Sequence, residues 1–285
     1  MSVPTISQRE VKKWRVIVFG VFTVLLSLVF IVGFNNISLL LAPWTLLGAT
    51  DSPTWHPAMQ RWHEAGAGAM FVFLLSGSLL CLFWRGHTRP LLAQFFLLSI
   101  VLLMVAQLPW VGILQAGVFF GGIIVLFLLA YPAPHALFTF SRVSTWSLPL
   151  LALSILVAIC LAPNVWQNIS LQLSDTTSES ARDLAWVIFA ALDLMLILGG
   201  FLTSTKRPGW KALGIIIGIS FLYLGIAALV VPPSNPGSWG LLGGILSVLG
   251  GLSSIGLTFY EMRRTATHPT GVPEQVTIGA VETSS

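Results

Sequence analysis

Residues 53–70, PTWHPAMQRWHEAGAGAM, gather two histidines, an arginine and a glutamate in a chain that carries little charge elsewhere. His56, His63 and Glu64, with Arg61 between them and Asp51 just upstream, are side chains of the kind that hold metal ions or exchange protons. Pro57 favours the first turn of a helix, which places His56 at its cap and lets the helix run through Trp62 into the apolar residues beyond. His56 and His63 then lie seven residues apart, close to one face but separated by about 10 Å along the axis, too far for both to hold one ion. A zinc site would also need Asp51 or Glu64, so no metal site is expected. The stretch reads as an interfacial helix whose polar face meets water and headgroups while Met59 and Trp62 point into the bilayer.

Asp193 is the second candidate, standing in the middle of the apolar run LAWVIFAALDLMLILGG. An ionised carboxylate is costly in hydrocarbon, so this side chain is expected to be neutral and hydrogen-bonded, paired, or facing a wet cavity. No lysine, arginine or histidine lies at a similar depth, and Gln107, Gln115 and Ser76 are the expected partners. No Ser-His-Asp spacing, phosphate-binding glycine loop, HExxH or CxxC occurs, which leaves hydrolase and nucleotide chemistry without support.

These side chains must be positioned by elements built for lipid. Of 285 residues, 55% are hydrophobic and 8% are charged, against roughly 25% charged in a soluble domain. The net charge of +4 is scattered in small groups between apolar runs, so nucleic acid is not an expected partner; the lipid bilayer is. Crossing the hydrocarbon takes about 20 apolar residues. Runs of this kind are expected near 14–34, 64–84, 91–109, 113–131, 147–163, 184–203, 211–231 and 238–260, giving an all-α polytopic membrane protein of eight transmembrane helices.

With the N-terminus inside, twelve basic residues fall on the inner side: Arg9, Lys12, Lys13, Arg15, Arg85, Arg89, Arg142, Lys206, Arg207, Lys211, Arg263 and Arg264. Only Arg61 and Arg182 fall outside. Lysine and arginine prefer cytoplasmic loops, so both termini are expected in the cytoplasm of a bacterial-style plasma (inner) membrane. Most tryptophans stand at ends of the runs, where an indole is half buried. Cys81 and Cys160 fall at opposite depths and cannot form a disulfide.

The chain divides near residue 145. A cytoplasmic tail at 1–13 precedes a first four-helix half, 14–145, with a long outer loop at 35–63. A second half, 146–264, has an outer loop at 164–183, and a disordered cytoplasmic tail follows at 265–285. Two readings of this alternation stand: a tandem four-plus-four repeat with both halves in one orientation, or the loose periodicity of any eight-helix protein with short loops. Small residues at 240, 243, 247, 250, 251 and 254, and the pairs Gly214/Gly218 and Gly117/Gly121, make close-approach seams. They are expected to serve packing inside one chain; the alternative is association with a second copy or another membrane protein.

The helix plan and two short stretches resemble heme A synthase, the membrane enzyme that oxidises a haem methyl group. His63, in RWHEAGAGA, stands where that family places a histidine at the start of its second helix. VAQLPWVGILQAG is similar to the family's Gln-rich passage from the third to the fourth helix. The resemblance implies haem as a cofactor with His63 as a residual ligand and Glu64 beside it. Gln115 stands where the family's fourth helix carries a histidine, and the sixth and eighth helices here carry none. A six-coordinate haem needs two axial ligands from facing helices.

Three functions are compatible with these residues. A non-catalytic binding or assembly protein comes first, a small-molecule or proton-coupled transporter resting on Asp193 second, and a haem-dependent redox enzyme third. The threading has a direct test: reporters fused at positions 87 and 172 are expected on opposite sides of the membrane, and accessibility labelling that placed both on one side would overturn it.

Overall fold

The computed structural model describes residues 13–33, 36–44, 57–138, 146–175, 179–231 and 238–267. Asp51, His56 and Arg142 lie outside the described residues, as do 1–12 and 268–285 of the two tails. Among the described residues the regular structure is entirely helical, and seven helices are long and apolar enough to cross a membrane. This is an integral membrane protein.

In chain order, α1 is Lys13–Val32, α2 the short Asn36–Leu41, and α3 Pro57–Gly68. A π-helical stretch, Ala69–Ser76, carries α3 directly into α4, Gly77–Arg85, so that one rod runs from the charged cluster to the far end of the span. Beyond them come α5 (Pro90–Ala130), α6 (Pro134–Phe138), α7 (Leu148–Ser174), α8 (Glu179–Arg182), α9 (Ala185–Ser204), α10 (Trp210–Val230) and α11 (Gly240–Thr267).

The runs 91–109 and 113–131 are two helices joined at a kink within one 41-residue element, Pro90–Ala130, which would measure about 61 Å if straight, twice the hydrocarbon thickness. It is not straight. Phe96 and Phe127, about 46 Å apart on a straight rod, have ring centroids 4.9 Å apart. The reversal falls at Gly112, whose φ of 84° and ψ of 159° occupy a region essentially open to glycine alone. One expected helix boundary is corrected: α7, expected to stop at Pro163, continues to Ser174. Proline removes one backbone hydrogen bond, whereas the residues after it still bury a face through Asn168 and Gln172. Gln172 Nε2 donates to Ala181 O at 2.9 Å, tying the overhang to α8. Most of the segment expected as an outer loop at 164–183 is therefore helical.

The helices pack pairwise. α1 lies on the α3–α4 rod, α7 on α9, and α10 on α11. Between these pairs, the α3–α4 rod packs on α10, and α5 packs on α9, where Phe95 lies against Gly199. The α10–α11 seam is built at backbone distance: a Cβ on Gly225 would stand 2.8 Å from Gly244 O, and one on Gly251 2.7 Å from Gly218 O. Ser247 and Ser254 hydroxyls donate across it to Phe221 O (2.8 Å) and Gly214 O (3.2 Å). Here the small residues serve packing within the chain. A Cβ on Gly117 or Gly121 would meet nothing within 4 Å, so that pair makes no seam.

Gly218→Val is expected to lower stability by about 1–3 kcal/mol, the range for overpacking, and Gly112→Ala by a similar amount through backbone strain. Gly117→Ala is expected to be neutral or stabilising, since the site is open and alanine favours helix. Thermal unfolding of the three variants in mild detergent checks the ranking.

Candidate functional site

The carboxyl of Asp193 is fully buried about 12 Å along α9 from its first residue. Its partners are not Gln107, Gln115 or Ser76, as expected, but two residues of other helices. Asn164 Nδ2 on α7 donates to Asp193 Oδ2 at 2.6 Å, and the Trp239 side chain, at the entrance to α11, supplies a second hydrogen bond. Ser76 instead donates to Phe71 O at 2.7 Å, and Gln107 and Gln115 face a different cavity. Asp193 Oδ1 has no hydrogen-bond partner among the described residues.

The charged cluster and Asp193 belong to one neighbourhood. Phe189 precedes Asp193 by one helical turn and so shares its face. Trp62 stacks on Phe189 with ring centroids 5.8 Å apart and an interplanar angle of 8°, and meets Trp239 edge-on at 5.7 Å. Trp62 is thus 2% exposed, a correction to its expected place in the bilayer: the second half of the chain covers it before lipid can. The His63 ring lies edge-on to Phe189 at 5.6 Å. Arg61 is committed elsewhere, donating from Nε to Ala42 O at 3.2 Å and from its terminal nitrogen to Pro43 O, which clamps the turn after α2 onto α3. Glu64 accepts from Gln60 Nε2 at 3.0 Å.

Asn164 and Trp239 are also the wall of a cavity of about 470 Å³ between α7 and α11, with Phe221 of α10 at its back. The remaining wall is largely apolar, with Ser238, Gln167 and Ser247 as further polar groups. Leu156, Leu246 and Leu249 on its rim are more than half exposed, so the groove opens sideways to lipid. A second cavity, about 290 Å³, lies between Phe30, Phe71 and the two legs of α5, with Gln107 and Gln115 on its wall. Asn164 and Trp239 were missed in the sequence, Asn164 because it follows a proline assigned to a helix end.

The residues around His63 do not fit a haem. Its imidazole packs on Phe189, and a Cβ on Gly66, one turn along, would run into that same ring. A porphyrin would have to displace Phe189. Gln115 stands on the wall of the other cavity and offers no imidazole. Among the described residues, no three His, Cys, Asp or Glu side chains come together around a point that could hold a metal ion. Compared with known proteins, the chain matches no family model, no curated protein and no solved structure.

Asn164→Leu removes a donor from a buried carboxyl and is expected to cost about 1–3 kcal/mol. Combining it with Asp193→Leu is expected to recover most of that loss, because both partners of the pair are then apolar. Unfolding midpoints of the two single variants and the double variant in detergent measure the coupling; strict additivity would mean that the pair does not interact.

Proposed function

We propose that this chain is a non-catalytic binding protein of the plasma membrane, which holds an amphiphile from the outer leaflet in the groove between α7 and α11. The observation that carries this reading is the construction of the groove's polar wall: Asn164 and Trp239, which line it, are the residues that hold the buried carboxyl of Asp193. Its volume of about 470 Å³ lies within the roughly 300–1,000 Å³ of ligand sites. A groove open to hydrocarbon is filled by a chain of its own kind, and the polar wall gives a head group with a hydrogen-bond donor a place to stop. Asp193 itself lies buried behind that wall, reaching the groove through Asn164 and Trp239.

This reading includes a finer topology. The fold-back at Gly112 divides α5 into two legs of about 33 and 27 Å, each long enough to span, which makes eight crossings from the seven helices. Lys206, Arg207, Lys211, Arg263 and Arg264 mark the cytoplasmic end, and both termini belong there. A four-plus-four repeat accounts for the reciprocal packing of the α3–α4 rod on α10 and of α5 on α9.

Proton-coupled transport is the second reading, favoured by the bonding of Asp193 to neutral partners, Asn164 and Trp239, among the described residues. The two readings separate experimentally. Gly250 lines the groove, and a Cβ there would meet nothing within 4 Å, so Gly250→Phe fills the groove with little strain on the helix. Native mass spectrometry of protein extracted in mild detergent is expected to show a co-purifying amphiphile on the wild type and its loss from Gly250→Phe. Equal retention by both would reject the groove as the site, and proton flux in vesicles that Asp193→Asn abolished would favour transport.

A further inference from the structure

The opposite end of the bundle holds a second cavity-lined site that is independent of the Asp193 reading. The turn between α9 and α10 is tight and left-handed at two places, Lys206 (φ 50°) and Gly209 (φ 108°). A Cβ on Gly209 would come within 3.4 Å of the Arg89 side chain and of Leu92, so this turn seats directly on the start of α5. The two segments enclose a cavity of about 240 Å³ lined by Arg89, Lys206, Trp210 and Lys211, with Pro208 and Gly209 of the turn between them.

The lining is cationic and held in place. Arg89 Nη1 donates to Cys81 O at 3.0 Å, which fixes the guanidinium at the mouth of the cavity. Lys206 Nζ is 2.6 Å from Glu261 Oε2, and Ser147 Oγ holds the other carboxylate oxygen at 2.9 Å. Lys211 Nζ stands 6.0 Å from the Trp210 ring centroid and its side chain is exposed. Three cations against one carboxylate leave an excess of about two positive charges around the cavity. Arg207 behind it is buried against Gln94 Oε1 at 2.8 Å, and Arg264 lies near Glu261; both add to the positive field.

We propose that this cavity binds the phosphodiester headgroup of an anionic lipid of the adjoining leaflet. Charge complementarity selects an anion, and position selects a lipid. Trp210 and Lys211 open a membrane-spanning helix, the level at which headgroups lie, and basic pockets between helices at that level take acidic headgroups. The site ties α5, α9, α10 and α11 together, so an occupied cavity braces the junction between the two parts of the chain.

The test uses the full chain in non-ionic detergent, titrated with short-chain phosphatidylglycerol, with phosphatidylcholine and with inorganic phosphate, and read by thermal unfolding and by native mass spectrometry. Phosphatidylglycerol is expected to raise the unfolding temperature and to be retained, and phosphatidylcholine to do neither. Millimolar inorganic phosphate is expected to leave phosphatidylglycerol retention unchanged. Lys211→Gln, at an exposed position, is expected to weaken phosphatidylglycerol binding about fivefold, whereas Arg182→Gln at the other end of the bundle is expected to leave it unchanged. Equal response to the two lipids, displacement by inorganic phosphate, or full binding by Lys211→Gln would each overturn the proposal. Gly250→Phe is expected to bind phosphatidylglycerol normally, which separates failure of this site from failure of the groove.

Discussion

Hydrocarbon offers no hydrogen bonds, so a polar group of this chain that lies between the ends of the bundle is costly unless it finds a partner in the same molecule. Most hydroxyls meet the demand locally: Ser78, Ser154, Thr203, Ser220 and Thr258 each return a bond to the carbonyl one turn back. Groups too large for that recourse reach across helices. Arg207 bonds Gln94, whose own amide donates to Leu137 O at 2.6 Å, so one buried chain of contacts joins α5, the residues after α9 and the end of α6. The same demand makes Asp193 the joint between α7, α9 and the start of α11.

The backbone obeys the same constraint. Departures from α-helix are placed where carbonyls and amides still find partners. Gly112 turns the chain at the tip of a hairpin, and the turns at Lys206 and Gly209 lie at an end of the bundle. The exception inside a span is the π-helical stretch Ala69–Ser76, which keeps its bonds internal by lengthening them by one residue. Its effect is rotational. An inserted residue turns the face of the rod, so that Gly66 before it meets Phe189 of α9 while Gly77 after it meets Ile216 of α10. A regular helix of this sequence would present those two glycines differently, and one rod could not serve both neighbours.

What the sequence disclosed and what it withheld follow from the range of the interactions involved. Apolar runs and the one-sided distribution of lysine and arginine are local properties, so the long apolar helices and the continuation of α3 into a span could be read directly. The α10–α11 seam was readable as well, because glycine spacing reports close approach whichever helix is the neighbour. Its counterpart at Gly117 and Gly121 looked identical and faces open space, since spacing does not say what lies opposite. Trp62 reads as lipid-facing for the same reason: an indole beside a charged cluster looks interfacial until α9 and the start of α11 cover it. The bond between Asn164 and Asp193 joins residues 29 apart in sequence and depends on α7 continuing past Pro163. A helix that ends at Pro163 leaves that partner out of reach.

The two lipid-level cavities show how the same framework can carry unequal chemistry. One is bounded by α1, the π-helical stretch and both legs of α5, the other by α7, α10 and α11. Under the proposed repeat both take in the first, third and fourth crossings of their half, and the first cavity takes in the second crossing as well. Gln107 and Gln115 give the first cavity amides alone, which are neutral and can satisfy one another or a passing water. The second has Asn164 and Trp239, and both already spend a donor on a carboxyl that no ligand-free packing requires. A buried acid is expensive wherever it sits in a membrane, and leucine at position 193 would fill much of the same space without that cost. The bond from Asn164, the bond from Trp239 and the aromatic cover of Trp62 and Phe189 together hold one costly group behind the wall of a groove. An arrangement built only for packing would have no use for it, which is why the second half, and not the first, carries the functional reading.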